Sequence, residues 1–229
     1  MAKRYDQYCP IAHALEVVGE RWTLLIVREL LHGPLRYTDL QDRLPGIGTN
    51  ILACRLRDLE ANGVLEKRKL PPPTPVTVYE LTAWGRGLHP VLHHLAHWGA
   101  TVLGPPDESF AAEPGWLEQA LRVGVSLTAP DGRYVFHVGD EVASLVDRDV
   151  VAGAVPDPDV TVELEPKGFY DLFVYGRLAG DAHVEGDPEA LERLVEATGI
   201  HALPRPLVAG QTVDQTGPGG RHPTQEVVA

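Results

Sequence analysis

The stretch GTNILACRLRDLEANGVLEKRKL, residues 48–70, decides the fold of the first half of this 229-residue chain. Its leucines recur at helical spacing, so Leu52, Leu56 and Leu59 share one side of a helix predicted over residues 49–61. The opposite side carries small and polar side chains and one cation, namely Asn50, Ala53, Cys54 and Arg57. One side of this helix is therefore built for a core and the other for a polar partner.

The segments around this helix complete a recognisable order of elements. Upstream, apolar spacing predicts helices over about residues 10–18 and 21–31, and Thr38 followed by Gln41 indicates a capping box that opens a third short helix. Downstream, Gly63 ends the helix, and two strands are predicted on either side of a proline-rich turn. Helices followed by a hairpin describe a winged helix-turn-helix.

This order gives the basic side chains a chemical role. A helix that enters the major groove needs a slim outer face of short polar side chains and arginines, and a basic hairpin beside it can follow the phosphates. The residues expected to contact double-stranded operator DNA are Arg36, Thr38, Thr49, Asn50, Ala53, Cys54, Arg55, Arg57, Lys67, Arg68 and Lys69. The alternative for the cations among them is a solvated helix face and a charged edge hairpin.

The charge distribution separates two halves. Residues 1–104 hold 12 Lys and Arg against 10 Asp and Glu, whereas residues 105–229 hold 8 against 22, although the whole chain has a net charge of -12. The Pro- and Gly-containing residues 105–115 between them read as a linker, and residues 205–229 read as a mobile tail. We expect a DNA-binding and dimerisation domain over 1–104 and a second domain over 116–204.

Composition excludes several classes of protein. The chain has no apolar run that could span a membrane and no signal peptide, so we expect a cytoplasmic protein without a membrane partner. Two cysteines are too few for a disulfide framework or a structural zinc site. No nucleophile and base pair or phosphate-binding glycine loop is recognisable, so we expect neither an enzyme nor a cofactor.

Residues 9–99 resemble the HxlR family of bacterial transcriptional regulators. The resemblance is carried by CPIAHALEVVGERWTLLIVRELLHGPLRYTDLQDRLPGI, RLRDLEANGVLEKR, VYELTAWGRGL and LAHWG. It implies a homodimer with the recognition helix at 49–62, the wing at 65–81 and a long terminal helix that pairs subunits. Gly48 departs from the serine usual in the family at this helix start, which removes a hydroxyl that can touch phosphate.

Cys9 and three histidines raise two further hypotheses. Cys9 lies where some family members carry a thiol that senses oxidants or electrophiles, and the alternative is a small apolar residue that packs the first helix. His89, His93 and His97 recur every four residues on one helical side, which suits a divalent ion, although a solvated or dimer-facing polar stripe is the more common arrangement. We expect no metal site, because no nearby cysteine or carboxylate completes the set.

The second half predicts an α+β domain with helices over an apolar cavity or core. Strands are predicted over 123–129, 133–139, 142–147, 160–165 and 182–186, and helices over 116–122, 166–178 and 187–199. Residues 158–194 resemble sterol-carrier-protein-like domains, which implies a pocket for a small apolar effector. The candidate ligand-binding residues are Phe169, Tyr170, Phe173 and Tyr175, although Phe169 and Phe173 also fit an ordinary core.

Three functions follow from these observations. The first is a homodimeric DNA-binding regulator that responds to a small apolar effector. The second is a repressor that senses redox state or electrophiles through Cys9. The third is a carrier of hydrophobic ligands that uses its helix-turn-helix only to dimerise, in which case DNA binding would be neither salt-sensitive nor selective for sequence.

Overall fold

The computed structural model describes residues 5–71, 76–106 and 114–204. The predicted tail, most of the predicted linker and the tip of the predicted hairpin lie outside these residues. The first half contains α1 (Pro10–Val18), α2 (Thr23–Leu30), α3 (Tyr37–Arg43), α4 (Thr49–Ala61), β1 (Leu65–Lys69), β2 (Thr77–Leu81), α5 (Ala83–Arg86) and α6 (His89–Leu103). This order confirms the predicted winged helix-turn-helix.

The first core forms where the helix-turn-helix and the hairpin meet. Leu52, Leu56 and Leu59 on α4 are at most 1% exposed, and they pack with Ile26 of α2 and Leu40 of α3. Each such side chain contributes about 1.5–3 kcal/mol when it leaves water. Burial of these leucines fixes the orientation of α4. Its outer side therefore points away from the core.

The start of α3 differs from the prediction. Thr38 is the second residue of the helix and not its cap, because α3 already begins at Tyr37. The Asp39 carboxylate accepts a hydrogen bond from the Arg36 backbone N–H at 2.9 Å, so Asp39 and not Gln41 closes the start of the helix. The shift by two residues leaves Arg36 and Thr38 exposed at the N-terminal end of α3.

The second half is a five-stranded sheet with three helices. Its elements are α7 (Trp116–Gly124), β3 (Arg133–Val138), β4 (Glu141–Val146), β5 (Asp149–Ala152), β6 (Val160–Leu164), α8 (Pro166–Tyr175), β7 (His183–Gly186) and α9 (Pro188–Thr198), followed by a short 3₁₀ turn. The strand order is β5-β4-β3-β6-β7, and only the β3–β6 pair is parallel. The fold is α+β in this part of the chain.

One predicted strand is wrong and one strand was missed. Residues 123–129 form the end of α7 and the turn after it, where the Leu121 carbonyl accepts hydrogen bonds from the backbone N–H groups of Val125 and Ser126. Their apolar alternation arises because Val123 and Val125 point into two different cores. The short β5 was not predicted, because its four residues follow β4 through a tight turn and show no apolar alternation, with only Val150 buried.

Histidines of α6 join the two halves. The rings of His89, His93 and His97 lie 3.0, 2.8 and 2.6 Å from the backbone carbonyls of residues 122, 123 and 124 respectively, and each ring nitrogen donates to its carbonyl. These are the last carbonyls of α7, which its own helix cannot satisfy. His93 and His97 are buried against α7 of their own chain, so the expected solvated or dimer-facing stripe is wrong at these two positions. We call this contact the histidine seam.

A tyrosine closes the same contact further along α6. The Tyr170 hydroxyl of α8 donates to the Ala100 carbonyl at 2.8 Å and accepts from the Gly104 backbone N–H at 3.1 Å. In addition, Val123 at the end of α7 packs into the first core together with Leu92 of α6. The end of α7 is therefore part of both halves.

Two histidines, His93 of the histidine seam and His32, make stability depend on pH. Burial, with the neighbouring His97 as a second cause, lowers the pKa of His93 from 6.5 to about 4, and burial with nearby arginines lowers the pKa of His32 to about 4. Both side chains take up protons in the unfolded chain before they do so in the folded one. Stability is therefore complete above pH 6.5 and is lost as the pH falls from 6.5 towards 4.

We expect the free energy of unfolding to fall by about 2 kcal/mol for each of these two histidines between pH 7.5 and pH 5. Denaturant titrations at both pH values measure the change. His93→Gln, which keeps an amide donor for the residue 123 carbonyl, should reduce the pH dependence, while the exposed neighbour variant His94→Gln should keep it. An identical pH dependence in both variants would contradict this assignment.

Candidate nucleic-acid interface

The outer side of α4 carries the polar residues that the sequence selected. Thr49, Asn50 and Arg57 are exposed, and Ala53 and Cys54 between them are half-buried. Arg57 Nε donates to the Ala53 carbonyl at 3.3 Å, and within the described ranges no carboxylate lies at salt-bridge distance from the Arg57 guanidinium. The surface is narrow, polar and positively charged.

The turn between α3 and α4 holds this surface in place. The Tyr37 hydroxyl of α3 donates to the Thr49 carbonyl in the first turn of α4 at 2.8 Å. Ile47 in the turn is buried in the first core. The first turn of α4 is therefore tied to α3 by a hydrogen bond and by apolar contact.

Arg55 occupies a different environment from the other cations of α4. Its guanidinium forms ion pairs with Glu20 at 3.2 Å and with Asp58 at 2.8 Å, and its side chain is only 18% exposed. Glu20 lies in the segment between α1 and α2, so Arg55 connects α4 to the helices behind it. We assign Arg55 a structural role, because helical spacing turns it about 100° away from Cys54 and towards α1.

Two of the three wing cations are paired with carboxylates. Lys67 Nζ lies 2.7 Å from Glu60, and Arg68 Nε lies 2.7 Å from Glu80 on the opposite strand. The hydrogen bond to Glu60 raises the pKa of Lys67. Lys69 is exposed, and the described part of the chain places no carboxylate within 4 Å of its ammonium group. DNA phosphates must therefore compete with Glu60 and Glu80 for the first two cations.

Removal of the Glu60 charge is expected to raise the affinity for duplex DNA of any sequence by roughly 2- to 5-fold, because Lys67 then meets a phosphate without first leaving a carboxylate. Fluorescence anisotropy titrations of Glu60→Gln at two salt concentrations measure this gain, which should shrink at high salt. Glu66→Gln is the matched control, since it removes the same charge from an exposed position on the wing. Equal gains in both variants would mean that only net charge matters.

Cys9 lies directly before α1. It is half-buried, and its backbone carbonyl accepts from the His13 N–H at 3.0 Å, which is the first hydrogen bond of the helix. The thiol-sensing hypothesis stays a prediction, and Cys9→Ser tests it through the response of DNA binding to oxidants.

The four candidate ligand-binding aromatics fall into two buried phenylalanines and two half-buried tyrosines. Phe169 and Phe173 are buried, their ring centroids lie 4.9 Å apart, and each lies 6.0 Å from the ring of Phe136 on β3. Tyr170 joins the two halves, and the Tyr175 ring packs edge-on against it. Phe169 and Phe173 therefore fill a core, whereas Tyr170 and Tyr175 are half-buried beside it, and a ligand pocket at these residues stays a prediction.

The described part of the chain has two shallow recesses that adjoin the contact between its halves, and neither is lined by those aromatics. One, of about 520 Å³, lies beside the seam and is lined by His93, His97 and Trp98 among others. The other, of about 250 Å³, is lined by three arginines that the sequence analysis did not identify.

Across the described residues no group of three or more His, Cys, Asp or Glu side chains is arranged to hold a metal ion. Nor do the described helices include one of the length and apolarity that a membrane span requires.

Comparison with known proteins assigns the family. The model of the HxlR-like helix-turn-helix family matches residues 17–107. The HTH-type transcriptional regulator YvaP of Bacillus subtilis is 36% identical over 102 residues, which cover 44% of this chain and 94% of YvaP. The chain belongs to the HxlR family. The HxlR match includes α2 to α6 and therefore the whole surface described above.

Two further proteins show the extent of the similarity. The HTH-type regulator sll1512 of Synechocystis is 42% identical over 84 residues, and the chain spans 62% of the length of that relative. The solved structure of the reduced form of the regulator YodB from B. subtilis is 32% identical, with 44% of this chain and all of that chain covered and a TM-score of 0.39. These alignments each include less than half of this chain, so the likeness of the second half to sterol-carrier-protein-like domains stays a prediction.

Proposed function

We propose that this HxlR protein is a homodimeric transcriptional regulator that reads operator DNA with the outer side of α4. The observation that carries the proposal is the exposed polar surface of Asn50 and Arg57, which is held rigidly by α3 and has no carboxylate partner within the described residues. A helix with such a surface fits the width of the major groove.

Within this proposal the cations divide by role. Asn50 and Arg57 read base edges, since amide and guanidinium groups make paired hydrogen bonds to adenine and guanine. Lys69 and, after release from their carboxylates, Lys67 and Arg68 contact phosphates, which position the protein without reading sequence. Arg36, Thr38 and Thr49 lie near the start of α3 and α4, where backbone phosphates pass a helix-turn-helix.

The proposed dimer rests on the apolar outer side of α6. Val91, Leu95, Trp98 and Val102 are each between 43% and 68% exposed, and helical spacing places them on one stripe. The opposite side of the same helix carries the histidine seam. A helix that buries one side against its own chain and exposes an apolar stripe on the other is suited to lie between the second half of its own chain and a second subunit.

Selectivity of DNA binding tests the proposal. Arg57→Ala is expected to relax base preference at one position of each half-site at a cost of about 1–3 kcal/mol, whereas Lys69→Ala should weaken all sequences by a similar factor and reduce the salt dependence. A competition between operator and scrambled DNA, with the full chain and both variants, separates the two outcomes.

Two results would count against the proposal. Unchanged sequence preference in Arg57→Ala would remove Arg57 from base recognition. Binding by the unaltered chain that is equal for all sequences and insensitive to salt would favour the carrier alternative instead, because neither property follows from a ligand-binding role.

A further inference from the structure

Three arginines meet in one recess between the two halves of the chain. Arg86 follows the wing on α5, Arg122 lies in the last turn of α7, and Arg148 lies in the turn between β4 and β5. They line a recess of about 250 Å³ in which Asp149 is the single carboxylate lining residue. The recess is positively charged, although the second half of the chain is strongly acidic.

Arg122 is the central group of this recess. Its Nη2 donates to the Val150 carbonyl at 3.1 Å, but its Nε is buried and has no hydrogen-bond partner. Burial lowers its pKa, and within the described ranges no carboxylate approaches its guanidinium to salt-bridge distance. Arg122 as a whole is half-buried and feels the charges of Glu118 and Asp149, but its desolvated Nε is a donor that an anion in the recess can satisfy.

Arg148 adds evidence from the backbone. Its φ is +76°, a left-handed conformation that glycine or asparagine adopts more easily than arginine. The side chain is nevertheless fixed, because Nε donates to the Ala129 carbonyl at 3.0 Å and Nη2 lies 3.4 Å from Asp131. The turn therefore holds an arginine in an unfavourable backbone conformation, and this arginine lines the recess.

Other titratable groups lie close to the recess. His32 precedes Gly33, which lines the recess, and its low pKa arises from burial first and then from Arg122, Arg43 and Arg28. The charge that opposes the arginines comes from Asp149 in the recess and from one carboxylate beside each arginine. Glu118 interacts with Arg122, Glu80 lies 4.0 Å from Arg86, and Asp131 lies 3.4 Å from Arg148. Arginine groups still outnumber the carboxylate that lines the recess by three to one.

We propose that this recess binds a small organic oxyanion, of the di- or tricarboxylate or phosphate ester class, between Arg86, Arg122 and Arg148. Guanidinium groups recognise carboxylate and phosphate oxygens through paired hydrogen bonds, and Arg122 Nε offers a donor that is already desolvated. Because Arg86 belongs to the DNA-binding half and the other two arginines to the α+β half, the bound anion stabilises the contact between them.

Binding of two probe anions to the full chain tests this site. Citrate and inorganic phosphate, each titrated at constant ionic strength against chloride, should raise the melting temperature in a saturable manner, and calorimetry should give one site for each chain. The stronger probe identifies the source chemistry, carboxylate or phosphate. Arg86→Gln and Arg148→Gln, both more than half exposed, should each weaken the stronger probe at least 10-fold.

Arg177→Gln is the matched control, since Arg177 is an exposed arginine of the same half outside the recess. Equal probe affinity in all three variants would overturn the proposal, as would the absence of saturable binding by either probe. A lower DNA affinity of Arg148→Gln, measured in the absence of citrate and phosphate, would also overturn the proposal, because the recess would then bind DNA phosphates. Since the probe titrations contain no DNA, failure of the proposed DNA recognition leaves their outcome unchanged.

Discussion

Leu95→Glu is expected to convert the proposed dimer into a monomer and to lower the affinity for a two-half-site operator by at least about 100-fold. Leu95 lies in the middle of the exposed apolar side of α6, 43% exposed, between Val91 and Trp98. A carboxylate in the centre of an apolar interface is desolvated without a partner, which the interface cannot compensate. The loss in DNA affinity follows because a monomer engages one half-site at a time.

Light scattering after gel filtration gives the mass of the variant, and a DNA titration gives its affinity. Trp84→Glu is the control. Trp84 lies on α5 and is 61% exposed, so this substitution introduces the same charge outside α6. A Leu95→Glu variant that remains dimeric would place the interface elsewhere, and a monomer with full operator affinity would show that dimerisation is not needed for recognition.

Phe173→Ala is expected to lower the free energy of unfolding of the α+β half by about 3–5 kcal/mol. Phe173 is 3% exposed and contacts the rings of Phe169 and Phe136, so its removal leaves a cavity in a filled core. Denaturant unfolding followed by circular dichroism measures the loss. Tyr8→Ala, a truncation of a fully exposed aromatic residue, should change stability little.

The same measurement decides between a core and a ligand pocket at α8. A loss below about 1 kcal/mol in Phe173→Ala would mean that this side chain lines an open space, as the sequence suggested for an apolar effector. The structure predicts the large loss.

The winged helix-turn-helix was predictable because backbone and burial follow local patterns. Leu52, Leu56 and Leu59 define the inner side of α4 by spacing alone, and Gly63, which has a φ of +71°, ends the segment in a conformation that favours glycine. The outer residues of α4 then follow by geometry.

The pairing of long side chains was not predictable, because it depends on which segments meet in space. Glu20 is 35 residues from Arg55, and Glu80 is 12 residues from Arg68. The histidine repeat on α6 was visible in the sequence, but its partners are backbone carbonyls of α7, which carry no sequence signal. For the same reason the meeting of Arg86, Arg122 and Arg148 had no signature in the chain.

The contact between the halves also changes how the acidic half can be studied. A chain that ends near residue 104 would lose Val123 from the first core and the acceptors of the histidine seam. Its behaviour would reflect damage to α6 as well as the loss of acidic charge. Substitutions in the full chain are therefore the suitable way to test how the α+β half affects DNA binding.

The most direct test of the central claim is to map the DNA that the full chain selects from genomic fragments and to footprint the strongest sites. We expect one inverted repeat whose half-sites are separated by about one helical turn, roughly 34–36 Å, or by a multiple of this distance. Replacement of Arg57 by alanine should abolish the protection of these half-sites. Fragments without a shared motif, or a motif that Arg57→Ala selects equally well, would contradict the claim that α4 of this HxlR protein reads operator DNA.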